Sequence, residues 1–438
     1  MKKFKNFEDV VCPFCGTLCD DLKVIIEDNE VIEVDNACAI GTAKFFSSNV
    51  SEHRYTKPMM RINGKLEEVT WDKALNKAAE LLANAKRPLA YGWSSTECDA
   101  QRKAVELMEI CGGILDNTAS VCHGPSLLAI QDVGCPTSTL GEYKNRADLV
   151  LFWGSNPVHA HPRHMSRYSD FIRGYFRVDG HLDRTIIVVD PRTTHTAQVA
   201  DMHIRLNPGE DYELFNAIRA ILRGAELDVK KVAGVPVKQI KELVEILKSC
   251  KFGVLFFGLG LTMSKGKHRN VDAGISLIRE LNDYTKFLLT PMRGHYNVSG
   301  ANIVFSWTTG YPYSIDFSKD YPRYNPGEFS AVDVLTNNDF DVSLIVASDP
   351  ASNFPKDAVI NMLKKPLISI EPHKTPTSEM ADIVFPPAIA GIECEGGAYR
   401  MDKVPLRLRK VKEAPESCIP DAEIIEKLIE KVKEIKGE

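Results

Sequence analysis

Short apolar runs alternate with amphipathic stretches along most of the chain beyond Pro58, and this alternation predicts an α/β fold. The apolar runs have the length of buried strands, and the amphipathic stretches repeat apolar residues at helical spacing. The predicted strands are Leu89–Gly92, Leu149–Trp153, Ile186–Val189, Val254–Phe257, Phe287–Leu289, Leu344–Ala347, Leu367–Ile370 and Ile383–Phe385. The predicted helices are Trp71–Ala85, Asp99–Ile110, Asp211–Leu222, Val237–Leu247, Ala273–Asn282 and Ala422–Ile435.

Two of the predicted units repeat. Residues 148–157 align without a gap on residues 341–350, and residues 189–201 align on residues 370–382. In each copy one strand ends in small and polar residues, and the next ends in an acid followed by proline. Small residues let a backbone approach a phosphate, and the acid can bind a ribose or base edge. The repeat predicts two similar nucleotide half-sites facing each other across a pseudo-two-fold axis, unless these residues merely end strands.

Neither copy of the repeat carries a G-x-G-x-x-G or a Walker motif, so neither predicts a standard NAD site or a P-loop.

Four cysteines lie near the N-terminus, with the spacing C-x2-C-x3-C-x18-C: Cys12, Cys15, Cys19 and Cys38. The segment Leu22–Val34 between the last two predicts a hairpin that returns Cys38 to the other three. Thiolates bind iron–sulfur clusters, zinc or copper(I). Cys38 lacks a second C-x2-C knuckle, so the pattern favours a [4Fe–4S] cluster over zinc. A redox dithiol at Cys12 and Cys15 is a further alternative, but it leaves Cys19 unexplained.

Composition narrows the class of protein. The 438 residues suggest about three domains. A formal net charge of −5 argues against a nucleic-acid binder that works through bulk charge. The longest apolar stretch, Phe252–Leu261, is too short to span a bilayer, and no apolar leader follows Met1–Lys5. We therefore expect a cytoplasmic protein without a membrane span.

In combination, several motifs resemble those of the molybdopterin oxidoreductases, over about Cys12 to Arg409. The motifs are the N-terminal cysteines, Trp153-Gly154-Ser155-Asn156-Pro157, Val189-Asp190-Pro191-Arg192, Asn207-Pro208-Gly209-Glu210-Asp211, and Arg293-Gly294 with Asn297-Val298 and Gly300-Ala301. The resemblance implies tungsten or molybdenum held by two molybdopterin guanine dinucleotides. It implies that one dinucleotide is bound by Gly154, Asn156, Asp190, Arg192 and Asp211, and the other by Gly258, Asp349, Glu371 and Thr377.

The family's fold gives the expected domains. We expect a small β-rich [4Fe–4S] domain at 1–57 and a discontinuous α/β domain at 58–134 and 331–438, which carries the second half-site. A second doubly wound α/β domain, with the first half-site, is expected at 135–330. The chain ends soon after Arg409, where larger relatives continue into a β-barrel cap, so we expect that cap to be absent here.

Cys122 follows a probable strand and precedes His123. A lone cysteine is more often a small buried hydrophobe. By resemblance, however, Cys122 is the protein ligand of the metal, His123 bonds the reacting group or relays a proton, and Arg293 holds the carboxylate of formate. Lys44 is the candidate for the lysine that bridges cluster and pterin, although the family's usual position for it, two residues after Cys38, is occupied by another residue.

Within the family, the strongest likeness is to the tungsten or molybdenum subunit of the carbon-dioxide-fixing complex of methanogens. It implies reduction of carbon dioxide to formate as the first step of methanogenesis, with electrons from iron–sulfur clusters. The implied partners are a β-barrel cap subunit, an amidohydrolase-like formyl-transfer subunit and ferredoxin-like subunits.

Three other functions are weighed against this one. The nearest is a formate dehydrogenase catalytic subunit that oxidises formate. A non-catalytic scaffold is disfavoured because Cys122 and Arg293 are both present. The last is a zinc-binding α/β interaction protein.

Overall fold

The computed structural model describes residues 4–437, which form two compact units. In the described part, the first unit comprises residues 4–121, 295–400 and 405–437, and the second comprises residues 122–294 and 401–404. The expectations for Met1–Lys3 and Glu438 concern residues outside this description. No helix among residues 4–437 has both the length and the apolar character needed to cross a membrane.

The second unit is built on a five-stranded parallel sheet. In spatial order its strands are Met202–Ile204, Thr185–Val189, Leu149–Trp153, Phe252–Phe257 and Lys286–Pro291. Numbered along the chain, this is the order 3-2-1-4-5 of a doubly wound sheet. Ligands bind such sheets at the carboxyl ends of strands 1 and 4, where the order reverses. A short hairpin pairs Lys231–Val232 with Val235–Pro236.

Helices cover both faces of this sheet, which explains why its three central strands are almost wholly buried. The α-helices of the unit are Gly124–Val133, Leu140–Arg146, Pro157–Ala160, His195–Gln198, Asp211–Leu222, Val237–Ser249, Leu259–Thr262 and His268–Leu281. A π-helical turn at Met165–Ser169 and a 3-10 turn at Gly180–Asp183 complete it.

The first unit contains a nine-stranded mixed sheet. In spatial order its strands are Arg323–Tyr324, Ile315–Asp316, Ile114–Asn117, Pro88–Gly92, Val342–Val346, Leu367–Ile370, Ile383–Phe385, Met59–Ile62 and Lys65–Glu68. The five central strands are parallel and the outer pairs are antiparallel. Along the chain the parallel strands have the order 2-1-3-4-5, so the reversal lies between Pro88–Gly92 and Val342–Val346.

The α-helices of the first unit are Ala39–Phe46, Trp71–Asn84, Cys98–Cys111, Val298–Thr309, Ala331–Thr336, Pro350–Asn353, Lys356–Met362, Pro376–Met380 and Asp421–Lys436, with a 3-10 turn at Thr118–Val121. Two small ribbons pair Pro387–Ala388 with Ile419–Pro420 and Gly396–Tyr399 with Pro405–Leu408.

The N-terminal segment forms a three-stranded antiparallel sheet of Phe4–Val10, Leu22–Glu27 and Glu30–Asp35. The predicted hairpin is therefore present, and its two-residue turn has positive φ at Asp28 (48°) and Asn29 (71°), the conformation of a tight hairpin turn. The first strand was not predicted.

The α/β fold is confirmed, and every predicted strand and helix overlaps an observed one. The unit boundaries differ from the expected domains. Helix Gly124–Val133 joins the second unit because it packs on helix His268–Leu281. Residues 295–330 join the first unit because helix Val298–Thr309 buries Ala301 and Phe305 in its core, and Ile315–Asp316 extends its sheet.

The N-terminal sheet also belongs to the first unit, rather than standing alone as a domain at 1–57. Val24 of this sheet and Phe45 of the helix that follows it share one apolar cluster with Ile389 and Ile392.

One buried ion pair ties distant parts of the first unit together. Arg54 Nη2 lies 2.6 Å from Glu393 Oε2, and both side chains are fully inaccessible to solvent. The same carboxylate oxygen accepts the Ile389 N–H at 2.9 Å. Loss of one partner would leave a buried charge uncompensated.

We expect Glu393→Gln to lower the free energy of unfolding of the first unit by about 3–5 kcal/mol, because Arg54 would keep its charge without a counterion. The matched control is Glu395→Gln, which removes the solvent-exposed pair with Arg407 and should cost less than about 1 kcal/mol. Urea unfolding of the two variants measures the difference. Equal decreases in the free energy of unfolding would show that the buried pair stabilises the protein no more than the exposed pair does.

Candidate active site and cofactor cradle

The four N-terminal cysteines converge in the first unit. Cys12, Cys15 and Cys19 lie on the loop between the first two strands, where the Cys12 N–H donates to the Cys19 carbonyl at 2.8 Å. Cys38 caps helix Ala39–Phe46, and its sulfur accepts the Gly41 N–H at 3.4 Å. None of the four forms a disulfide. Burial and the neighbouring thiolates of Cys19, Cys15 and Cys38 raise the pKa of Cys12 well above its usual range.

Gly41 keeps a space open beside these thiols. A Cβ at this position would lie 3.1 Å from the Cys12 sulfur and 3.7 Å from the Cys38 sulfur. Among residues 4–437, no three His, Cys, Asp or Glu side chains come close enough to hold one metal ion. The absence of a side chain at Gly41 thus leaves room next to the Cys12 and Cys38 sulfurs.

Lys44 interacts electrostatically with the cysteine loop and with the acid at the end of strand Leu367–Ile370. Burial lowers the pKa of Lys44, while the nearby Glu371 carboxylate and the Cys12 thiolate raise it. Burial raises the pKa of Glu371 to about 7, although the His373 N–H and the Lys44 ammonium favour its charged form. The Lys44 ammonium therefore interacts electrostatically both with a candidate cluster ligand and with the second half-site.

The first half-site follows strand Leu149–Trp153 in the second unit. Gly154 has a φ of 54°, and Asn156 begins the short helix Pro157–Ala160. Asn156 Oδ1 accepts a hydrogen bond from the Thr196 hydroxyl at 2.5 Å. At the end of strand Thr185–Val189, Asp190 accepts the Arg192 N–H at 2.8 Å.

The second half-site, in the first unit, repeats this geometry. Ala347 has a φ of 47° and Asp349 begins the short helix Pro350–Asn353. Asp349 Oδ1 accepts the Thr377 hydroxyl at 2.5 Å, and Glu371 accepts the His373 N–H at 3.1 Å. The same turn with positive φ occurs twice, each time with an acid at the end of the next strand. This repetition favours two half-sites over the alternative that these residues merely end strands.

Three further candidate residues have positions that refine the prediction. Gly258 was expected to serve the second dinucleotide, but it lies beside Gly154, where a Cβ would be 2.7 Å from the Gly154 carbonyl oxygen. The reason is topological, since its strand, Phe252–Phe257, is the neighbour of Leu149–Trp153 at the reversal of strand order. Asp211 is buried and accepts from Trp153 Nε1 at 2.8 Å and Ser264 Oγ at 2.9 Å. Arg192 extends into solvent.

Sequence reasoning missed three residues of these half-sites. Gly260 donates its N–H to the Gly154 carbonyl at 2.9 Å, and a Cβ there would also collide with Gly154. Thr196 bonds Asn156 as Thr377 bonds Asp349. Gly92 ends the strand that neighbours Val342–Val346 at the other reversal of strand order, and a Cβ there would lie 1.9 Å from the Val346 carbonyl oxygen. The glycines after predicted strands and the aligned threonines were the available signals.

Cys122 and Arg293 lie together in the second unit. Cys122 does not directly follow a strand: a 3-10 turn at Thr118–Val121 separates it from strand Ile114–Asn117, because the chain must turn into helix Gly124–Val133. The Cys122 carbonyl accepts the Thr262 hydroxyl at 2.9 Å. Burial raises the pKa of Cys122 to about 11, and the Arg293 guanidinium acts in the opposite direction.

His123 and His161 hold the backbone that carries Arg293. His123 Nε2 lies 3.1 Å from the Met292 carbonyl oxygen, and its Nδ1 lies 3.1 Å from Ser126 Oγ. His161 Nε2 lies 2.7 Å from the Arg293 carbonyl oxygen. Burial and the Arg293 charge hold the pKa of His123 well below its usual range. His123 was expected to contact the reacting group, but both of its ring nitrogens already have protein partners.

Removing the charge of Glu371 should stabilise the cofactor-free chain at high pH and not at low pH. Its raised pKa means that the folded state must ionise a buried carboxyl as pH rises from about 4.5 to about 7. The free energy of unfolding of wild type should therefore fall by up to about 3 kcal/mol relative to that of Glu371→Gln between pH 4.5 and pH 7. Above pH 7 the difference should stay constant.

The measurement is urea unfolding at pH 5 and pH 8, with Glu379→Gln, an exposed acid in helix Pro376–Met380, as the control. A difference between wild type and Glu371→Gln that does not change with pH would contradict the assignment of a raised pKa.

The chain is similar to known proteins over most of its length. The molybdopterin oxidoreductase family profile matches residues 54–431. The B subunit of the tungsten-containing formylmethanofuran dehydrogenase 2 of Methanocaldococcus jannaschii is 58% identical over 433 residues, which is 98% of this chain and 99% of the relative. Formate dehydrogenase H of Escherichia coli is 26% identical, over 66% of this chain and 47% of its own length.

Among solved structures, a chain of the formyltransferase/hydrolase complex of Methylorubrum extorquens has a similar fold. Its TM-score is 0.71 at 21% identity, and the match covers 87% of this chain and 100% of that one.

Proposed function

Since this chain belongs to the molybdopterin oxidoreductase family and, within it, to the B subunits of formylmethanofuran dehydrogenase, we propose that it reduces carbon dioxide to formate as the catalytic subunit of that enzyme. The observation that carries the proposal is the joining of Cys122 to Arg293. His123, next to Cys122, bonds the Met292 carbonyl, next to Arg293, at 3.1 Å. The backbone of a candidate metal ligand and that of a candidate carboxylate-binding residue are thus held near each other, and the two side chains interact electrostatically.

The residues present fit the cofactors that the family uses. Cys12, Cys15, Cys19 and Cys38 would hold a [4Fe–4S] cluster around the space beside Gly41. Gly154, Asn156 and Asp190 would hold one guanine dinucleotide, and the matching turn at Asp349, Thr377 and Glu371 the other. Cys122 would bind tungsten, the metal in the name of the 58%-identical relative. When bound, this centre exchanges the electron pair with carbon dioxide or formate.

Burial affects what the chain's own groups do. Arg293 is 5% exposed, so its charge is poorly screened and its planar guanidinium can bind a carboxylate through two parallel hydrogen bonds. His123 and His161 bond the peptide groups on both sides of Arg293, which fixes the backbone position from which its side chain extends. Formate bound there is oriented rather than freely tumbling.

Lys44 has a place in the same proposal. Its ammonium group interacts with Cys12 on one side and with Glu371 and Asp421 on the other. We infer that it links the cluster to the pterin of the second half-site, the role that the resemblance implies for a lysine near Cys38.

The relative is named as one subunit of an enzyme, so this chain is proposed to act with other subunits, among them one that uses the formate. A stand-alone formate dehydrogenase is the second candidate. Its support is weaker, since Escherichia coli formate dehydrogenase H shares 26% identity over 66% of this chain.

The test is the composition and activity of the anaerobically purified complex. We expect tungsten, about four iron atoms assigned to this chain, and released guanine nucleotide, with formate-dependent reduction of a viologen dye. Zinc without guanine would contradict the proposal.

Cys122→Ala should abolish viologen reduction and lower the tungsten content, because it removes the proposed protein ligand of the metal. Iron and guanine should stay near wild-type levels. Cys250→Ala is the control, since Cys250 lies in the same unit but outside the candidate site, and its thiol donates to the Leu247 carbonyl at 3.3 Å. Full activity in Cys122→Ala would exclude Cys122 from the metal.

A further inference from the structure

The segment between the π-helical turn Met165–Ser169 and strand Thr185–Val189 displays large apolar side chains to solvent. Five of them are exposed within twelve residues: Phe171, Tyr175, Phe176, Val178 and Leu182. Tyr175 is 78% exposed and Leu182 is 86% exposed. Single exposed apolar residues are normal on a protein surface, whereas a dense group of them marks a contact surface. We call Phe171–Leu182 the apolar loop.

Buried Arg184 anchors the base of the apolar loop. Its guanidinium donates hydrogen bonds to four backbone carbonyls, those of Asp170 at 2.9 Å, Ile172 at 2.6 Å, Lys144 at 2.6 Å and Ala147 at 3.2 Å. The first two carbonyls lie at the start of the loop, and the last two lie at the end of helix Leu140–Arg146. One buried side chain thus ties the loop to the neighbouring helix.

The tip of the loop is fixed through its own backbone. Gly174 and Arg177 exchange two backbone hydrogen bonds, at 2.9 and 3.1 Å, and the Phe176 N–H donates to the Asn145 carbonyl at 3.1 Å. A Cβ at Gly174 would lie 2.1 Å from the Lys144 carbonyl oxygen, so the loop packs directly on the helix. A loop that is ordered before binding loses little conformational entropy when a partner docks on it.

The exposed apolar area has the size that a stable protein interface needs. Five side chains of this size and exposure present on the order of 500 Å². A standard interface buries about 800 Å² on each partner, and about 65% of the fully buried core of such a patch is apolar. The apolar loop therefore supplies most of the apolar area of one interface.

The charged residues around the loop have both signs. The Arg146 guanidinium lies 4.7 Å from the centroid of the Phe176 ring and pairs with Glu142 at 2.6 Å. Within the loop, Arg173 and Asp179 are both exposed. A rim of mixed charge suits a protein partner, whereas a surface that binds anionic lipid is rich in lysine and arginine.

We propose that the apolar loop is the docking surface for another protein subunit of the same enzyme complex. The matching surface of that subunit is apolar, with a polar rim of mixed charge. The inference rests on the proposed function in one respect, that this chain acts together with other subunits.

The loop lies at the edge of the sheet opposite to the first half-site. Arg184 comes directly before strand Thr185–Val189, whereas Asp190 of the half-site comes directly after it. A strand of this length spans about 17 Å. The contact of a subunit with the loop is therefore separate from the binding of a nucleotide at the half-site.

The double variant Tyr175→Ser/Leu182→Ser removes the two most exposed side chains and leaves the anchoring residues in place. Wild-type and variant complexes, purified anaerobically, are diluted in steps, and native mass spectrometry identifies the subunits bound to this chain at each dilution. We expect the variant to release one other subunit at a concentration about 10- to 1,000-fold higher than wild type does, because side chains at the centre of an interface carry most of its binding energy.

The matched control is Tyr321→Ser/Leu363→Ser, which removes exposed side chains of the same two types from the first unit. The control should release its subunits at the same concentrations as wild type. Hydrogen exchange of the peptide that contains Thr185–Val189 shows whether the variant chain is folded. If the double variant is not folded, Leu182→Ser alone decides, since that side chain is 86% exposed.

Equal release from wild type and the loop variant would overturn the proposal, as would an equal effect of the control. Loss of a second copy of this chain, with every other subunit retained, would overturn it in favour of self-association. Flotation of wild type, and not of the variant, with phosphatidylserine vesicles would overturn it in favour of a membrane. None of these measurements uses formate, so failure of the proposed function is a separate result, seen as a wild type that does not oxidise formate.

Discussion

The rest of the candidate site depends on one close backbone contact, that of Gly154 with Gly258 and Gly260. The two loops leave neighbouring parallel strands at the reversal of strand order, and the Gly260 N–H reaches the Gly154 carbonyl at 2.9 Å. A Cβ on any of the three glycines would lie 2.7 Å from the backbone of another. Their approach lets Leu259–Thr262 begin at once after the strand, and Thr262 in turn bonds the Cys122 carbonyl.

From that contact, the chain and a few hydrogen bonds lead to the candidate reactive groups. Asn156 follows Gly154 and begins the helix that ends at His161, and His161 bonds the Arg293 carbonyl. On the other side, His123 connects Cys122 to Met292. The first half-site and the Cys122–Arg293 pair are therefore parts of one rigid assembly within the second unit. The nucleotide proposed to bind at Gly154 and the backbone of Arg293 would therefore contact the same short helix.

Much of the fold could be predicted because its strands are fully buried and read as uninterrupted apolar runs, as in Leu149–Trp153. The duplicated turn was also visible, since its small residue, polar residue and proline occur in the same order in both copies. The sequence could not predict which strand ends lie next to each other in the sheet. Gly258 was assigned to the second half-site because sequence does not give strand order, and strand order decides that it lies beside Gly154.

The sequence likewise could not predict the hydrogen-bond partners of the histidines. A histidine next to a cysteine suggested a contact with the reacting group, but the burial of His123 forces both of its nitrogens to find protein partners. His161 had no assigned role, because nothing in the sequence brings it near Arg293. The absence of a separate cap domain from this chain stays a prediction.

The buried charges of the first unit show why its fold and its proposed cofactors belong together. Lys44 interacts with two buried carboxyls, Glu371 and Asp421, whose pKa values burial raises to about 7. Asp421 Oδ1 and the Tyr296 hydroxyl are buried without a partner among the described residues. A buried polar group without a hydrogen-bond partner costs free energy. A bound polar molecule that supplied these hydrogen bonds would therefore stabilise the unit. Lys44 interacts electrostatically both with Cys12 of the cysteine loop and with Glu371, which supports the proposal that it links the cluster to the cofactor of the second half-site.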